Sequence, residues 1–280
     1  MTTIRQFVET TRATLTNLPA LAIFAALYAL LLASLYGFIA TREATVWQVT
    51  VTLFLLVLVP LEFFVLQSAI LNHAREQKFR WAQIVRDAIK LAVVTIPILL
   101  LTWALWALLN KWQLRFPAPH PPITFPATAP KVQPIYWPSL IFATVRCLLF
   151  GVVLPLTAIH LWIEVARRNL RDTAGGGGQA VLKRIGNVLA RAFASESVFT
   201  YALGLIFFAA IPYALLSINF KVKGTKTDFA IFIAQSVLAF LFMLIGWIVT
   251  LTTLTRETTA SDIATSPKTI PDTPAAEAPA

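Results

Sequence analysis

The stretch 46-VWQVTVTLFLLVLVPLEFFVLQSAIL-71 decides the class of fold, because it runs from Val46 to Leu71 with a single charged residue, Glu62. A helix rises about 1.5 Å per residue, so about 20 apolar residues cross roughly 30 Å of hydrocarbon. The run is long enough to do so and has no polar face of the kind a soluble amphipathic helix keeps for water. Five other stretches read the same way: 20–40, 91–110, 139–163, 197–219 and 228–254. Composition agrees, with 58% hydrophobic residues, 13% charged residues and a mean hydropathy of +0.73. The expected fold is therefore all-α and polytopic, a six-span domain over 19–254.

Basic residues set the expected orientation. Alternate segments between the spans carry fifteen Lys and Arg on one side and seven on the other, with Arg146 inside a span. Cytoplasmic segments are the basic ones in multi-pass proteins, so both termini are expected in the cytoplasm, at the cell's inner membrane. The same positional reading absorbs the net charge of +10. Basic flanks attract anionic headgroups, so lipids rather than nucleic acid are the expected partners. A single cysteine, Cys147, excludes an intrachain disulfide and a Cys-rich zinc site.

The connections differ in kind. Residues 116–138 hold eight prolines, which predict an extended exterior loop. Residues 255–280, rich in Thr, Pro and Ala, are expected to form a disordered tail. On the basic side, three stretches alternate apolar and charged residues at helical spacing and read as surface helices. One is the N-terminal segment 1–18. The second, in the loop 72–90, sets Gln83, Arg86, Asp87 and Lys90 opposite Ile84, Val85, Ala88 and Ile89. The third sets Lys183, Arg184, Asn187 and Arg191 opposite Val181, Leu182, Ile185 and Val188. Arg86, Lys90, Lys183, Arg184 and Arg191 are the candidate headgroup ligands.

Four prolines lie inside spans: Pro60, Pro97, Pro155 and Pro212. Pro60 in LVPLEF matches Pro155 in VLPLTA, and Pro97 in TIPILLL matches Pro212 in AIPYALL. The matches predict a tandem repeat of spans 2–3 and 4–5 in one orientation, with a helix kink at each proline. The combination of a basic surface helix and an apolar span, KFRWAQIVRDAIKLAVV (78–94) and LKRIGNVLARAFASESVFTYALGL (182–205), resembles that of bacterial six-span inner-membrane proteins, including membrane domains attached to glycerophosphodiester hydrolases. The resemblance covers the helical plan and implies no activity.

Glu62, Arg146 and Gln235 are the intramembrane polar candidates, since an ionisable group in hydrocarbon needs a partner, a proton or water. By helical rise, Arg146 has Glu62 as one candidate partner and Gln235 or Ser236 as the other. The glycine run Gly175–Gly178 precedes Lys183 and Arg184 but has Gln179 where a nucleotide loop needs GK[ST], so it reads as a hinge. His73 and His160 fall near the inner ends of spans 2 and 4, but no spacing demands a metal or haem, and no cofactor is expected. No HExxH, GxSxG, CxxC or Asp-rich motif is present. The expected function is a non-catalytic scaffold, assembly or lipid-interacting regulatory protein. The alternative is a transporter or channel using Glu62 and the kinked spans.

Overall fold

The computed structural model describes residues 2–41, 45–116, 136–167, 177–218 and 225–265. The chain is a multi-pass membrane protein with six helical segments long and apolar enough to cross a membrane, and no strand occurs among the described residues. Helix α1 (Thr2–Thr16) lies before the spans. Span 1 is α2 (Leu18–Ala40), span 2 is α3 (Val46–Glu76) and span 3 is α4 (Trp81–Gln113). Span 4 is α5 (Trp137–Leu148), a π turn (Leu149–Val153) and α6 (Leu154–Arg167). Helix α7 (Gly177–Ala192) lies between spans 4 and 5. Span 5 is α8 (Ser195–Leu205), a second π turn (Ile206–Ala210) and α9 (Ile211–Ser217), and span 6 is α10 (Thr225–Thr265). Most of the proline-rich loop, the tail past 265 and Gly175–Gly176 lie outside the described residues.

Two helices run past their expected ends. Span 2 continues through Asn72–Glu76 and stops only at Gln77, which takes a left-handed φ of 56° and donates its N–H to the His73 carbonyl at 2.9 Å. No glycine or proline interrupts the polar residues after Leu71, so the helix has no reason to end with the apolar run. The loop expected over 72–90 shrinks accordingly to residues 77–80, and the amphipathic stretch over 81–90 runs unbroken into span 3. Span 6 likewise continues to Thr265, so the tail expected to be disordered from 255 begins as helix. Its threonines lower helix propensity by competing for backbone. Here Thr250, Thr253, Thr255 and Thr258 each donate to the carbonyl four residues back, within the helix.

The prolines behave in two ways. Pro60 and Pro97 sit inside continuous α-helices, whereas each of Pro155 and Pro212 follows a π turn. Proline has no N–H to return to the carbonyl four residues back. For Pro155 that carbonyl belongs to Gly151, and it accepts the Tyr201 hydroxyl of span 5 at 3.0 Å. The defect in span 4 is thereby turned into a bond to its neighbour.

Span 2 packs against spans 1, 3 and 6, span 6 against span 5 and α1, and span 4 against span 3 and α7. The largest fully buried side chains, among them Phe24, Ile70, Leu91, Ile159, Ile163 and Leu251, all lie in the half of the bundle nearer the termini. The other half exposes Phe54, Val57, Leu100, Trp103, Ile141 and Phe232. Lipid tails are as apolar as leucine, so apolar side chains alone give helices little reason to close there. At the packed end, spans 5 and 6 touch backbone to side chain. A Cβ on Gly246 would meet the Phe208 backbone nitrogen at 2.8 Å, and one on Gly204 would collide with Thr250.

Tyr201→Phe should lower stability by about 1 kcal/mol, the loss of a hydrogen bond to a half-buried carbonyl. Gly246→Val should cost more, because the opposing backbone cannot yield. Thermal unfolding in detergent measures both, and a Tyr201→Phe protein as stable as the parent would contradict the assigned bond.

Candidate functional site

The intramembrane polar residues each find a different partner from the one that depth along the helix suggests. Arg146 Nη2 donates to Asn110 Oδ1 and Gln113 Oε1 of span 3, both at 2.6 Å, and its guanidinium lies 5.0 Å from the Trp106 ring centroid. Glu62 instead accepts the Ser34 hydroxyl of span 1 at 3.0 Å on Oε1, while Oε2 is buried with no hydrogen-bond partner. Gln235 Nε2 donates to the carbonyls of Leu215 and Ile218 at the end of span 5. Arg146 thus bonds neither Glu62 nor Gln235. A long guanidinium can turn along the helix towards amides nearer the interface, which a depth estimate from rise per residue misses.

The histidines have separate surroundings. His73 stacks on Phe79 at 5.0 Å, meets Phe24 edge-on, and places Nε2 at 3.4 Å from Asn17 Nδ2. His160 is buried in span 4 with Nε2 unpartnered. Among the described residues, no three His, Cys, Asp or Glu side chains gather as metal ligands would.

Where the short turn 77–80 brings spans 2 and 3 together beside the end of span 4, a cavity of about 420 Å³ opens. That is within the ~300–1,000 Å³ of ligand pockets. Four cations line it: Arg75 at the end of span 2, Arg86 and Lys90 at the start of span 3, and Arg167 at the end of span 4. The one carboxylate on the wall, Asp87, lies 2.7 Å from Lys90 Nζ. Arg75 is fixed across the helices by an Nη1–H donated to the Ala166 carbonyl at 2.5 Å. The elements explain the convergence: unbroken helices carry Arg75 and Arg86 towards each other across four residues of turn, and packing of span 4 on span 3 adds Arg167. Guanidinium groups present planar N–H forks that match phosphate oxygens, so the arrangement suits a phosphate or similar oxyanion.

The candidate headgroup ligands divide between two places. Arg86 and Lys90 meet in this cavity, with Lys90 buried rather than on an open helix face. The reason is the continuity of span 3, which carries the expected surface stretch into the bundle. Lys183 is exposed on α7, Arg191 lies 3.8 Å from Glu164 of span 4, and the Arg184 side chain is outside the described residues. Val188 and Ala192 seat α7 through its buried face. Sequence reading missed Arg75 and Arg167, which carry no local pattern beyond a basic residue at the end of a span.

The chain matches no protein-family model, no curated protein and no solved structure.

Lys90→Met alone should destabilise the protein by about 3–5 kcal/mol, because it leaves Asp87 charged, buried and unpaired. Lys90→Met with Asp87→Leu should recover most of that loss in thermal unfolding. No recovery in the double variant would contradict the assignment of Lys90 and Asp87 as a coupled pair.

Proposed function

We propose that this chain is a non-catalytic, lipid-interacting membrane protein whose basic cavity holds the phosphate of an anionic headgroup. The observation that carries this reading is the convergence of Arg75, Arg86, Lys90 and Arg167 on one cavity with a single carboxylate, Asp87. The excess of Lys and Arg on the side of the termini supports a cytoplasmic orientation at the inner membrane, where anionic lipid attracts basic residues by about 1 kcal/mol each. The tandem repeat of spans 2–3 and 4–5 is part of the proposal. It is supported by the matched prolines and by Arg75 and Arg167, which close the corresponding spans 2 and 4 on the same cavity. Helices α1 and α7 act in this reading as surface anchors.

A second reading, a transporter or channel path, draws on one observation: Glu62 Oε2 is buried without a partner in a span. In that case Glu62→Gln would abolish proton- or cation-coupled flux in reconstituted vesicles, and unchanged flux would remove Glu62 from any pathway.

For the lipid reading, Arg86→Gln combined with Arg167→Gln should cut phosphatidylglycerol retained by the detergent-purified protein at least about tenfold, measured by native mass spectrometry. Equal retention by parent and variant would count against the cavity as the headgroup site.

A further inference from the structure

A second cavity, about 520 Å³, adjoins the first. Arg75 and Arg167 line both, so they form a common wall between two compartments. The wall is held in place, since Arg75 donates to the Ala166 carbonyl next to Arg167. Beyond it, span 6 contributes Arg256 together with Thr255 and Thr259. The single carboxylate on this side, Glu76, is already engaged by Arg80 at 3.2 Å and by the Gln83 amide at 3.3 Å.

Each compartment therefore has cations of its own, Arg86 and Lys90 in one and Arg256 in the other, and both share the two wall arginines. Lys90 is already matched by Asp87, so one phosphate in either compartment would leave the other compartment's own arginine, Arg256 or Arg86, without a phosphate. We infer that the ligand is a lipid with two phosphates joined by a short linker, one phosphate in each compartment and the linker across the Arg75–Arg167 wall. The inference rests on the headgroup reading above and deepens it. The threonines fit the linker: the Thr259 hydroxyl spends its hydrogen on the Thr255 carbonyl at 2.9 Å, which leaves its oxygen as an acceptor on the cavity wall. A glycerol bridge between two phosphates carries a hydroxyl able to donate to them. Joining the phosphates makes the second contact intramolecular, so affinity rises steeply over a lipid that carries one.

The experiment uses the full chain purified in detergent and challenged, at equal total phosphate, with diphosphatidylglycerol (cardiolipin) or phosphatidylglycerol, with retention read by native mass spectrometry. Cardiolipin should be retained at least about tenfold more tightly. Arg256→Gln should bring that ratio close to one, and Arg256→Lys should restore part of it. Arg256 is exposed, so these variants leave the buried core untouched. Comparable retention of the two lipids, or two phosphatidylglycerols bound as tightly as one cardiolipin, would overturn the two-phosphate inference and leave the single-headgroup reading standing. Retention of neither lipid would overturn both. Inorganic pyrophosphate raising the unfolding temperature as much as cardiolipin would assign the compartments to a soluble diphosphate and overturn the lipid assignment.

Discussion

A polar group left unpaired in hydrocarbon costs several kcal/mol, and hydrogen bonds between spans hold the bundle together alongside its buried apolar cluster. Neighbouring spans are joined by polar bonds. Ser34 reaches Glu62 between spans 1 and 2, Ser68 reaches the Ile84 carbonyl between spans 2 and 3, and the Trp162 indole reaches Thr95 between spans 3 and 4. Tyr201 closes spans 4 and 5 on the Gly151 carbonyl, Thr200 bonds Glu257 between spans 5 and 6, and the Trp247 indole bonds Gln67 between spans 6 and 2. Most of these bonds lie in the half that is tightly packed. Where they are sparse, the helices present their apolar faces outward.

The basic cavity sits at the packed end, and that position gives its residues their meaning. Arg75 is tied to span 4 by its bond to the Ala166 carbonyl beside Arg167, and the Lys90–Asp87 ion pair is buried in one wall. A cluster of cations on loose loops would attract anionic lipid without selecting among headgroups. Cations fixed on helix ends, with a spacing set by the core beneath them, can discriminate by shape. The pairing of Arg191 with Glu164 leaves α7 as a strap across span 4 rather than as part of this site.

Much of the fold was legible from hydropathy alone, since each span is a long apolar run and its physics is one-dimensional. The helix ends were not, because Asn72–Glu76 and Thr255–Thr265 are polar without containing a glycine or proline, and span 2 stops only at Gln77, whose left-handed φ no residue type there announces. Proline positions were plain in the sequence. Their different outcomes are continuous helix at Pro60 and Pro97 but π turns before Pro155 and Pro212, where neighbouring spans make close contacts through Tyr201 and Gly246. Glu62 and Arg146 were rightly picked out as polar residues inside spans, yet their partners Ser34, Asn110 and Gln113 depend on side-chain reach and helix rotation. The cavity draws on three spans, so only Arg86 and Lys90, which share one helix, could be grouped in advance.

Electron cryomicroscopy of the protein in nanodiscs containing anionic phospholipid tests the basic cavity as a headgroup site most directly. Headgroup density is expected between spans 2, 3 and 4, with phosphate oxygens at hydrogen-bond distance, about 3 Å, from Arg75, Arg86 or Arg167. Ordered headgroups found elsewhere on the surface, with only water between those arginines, would contradict it.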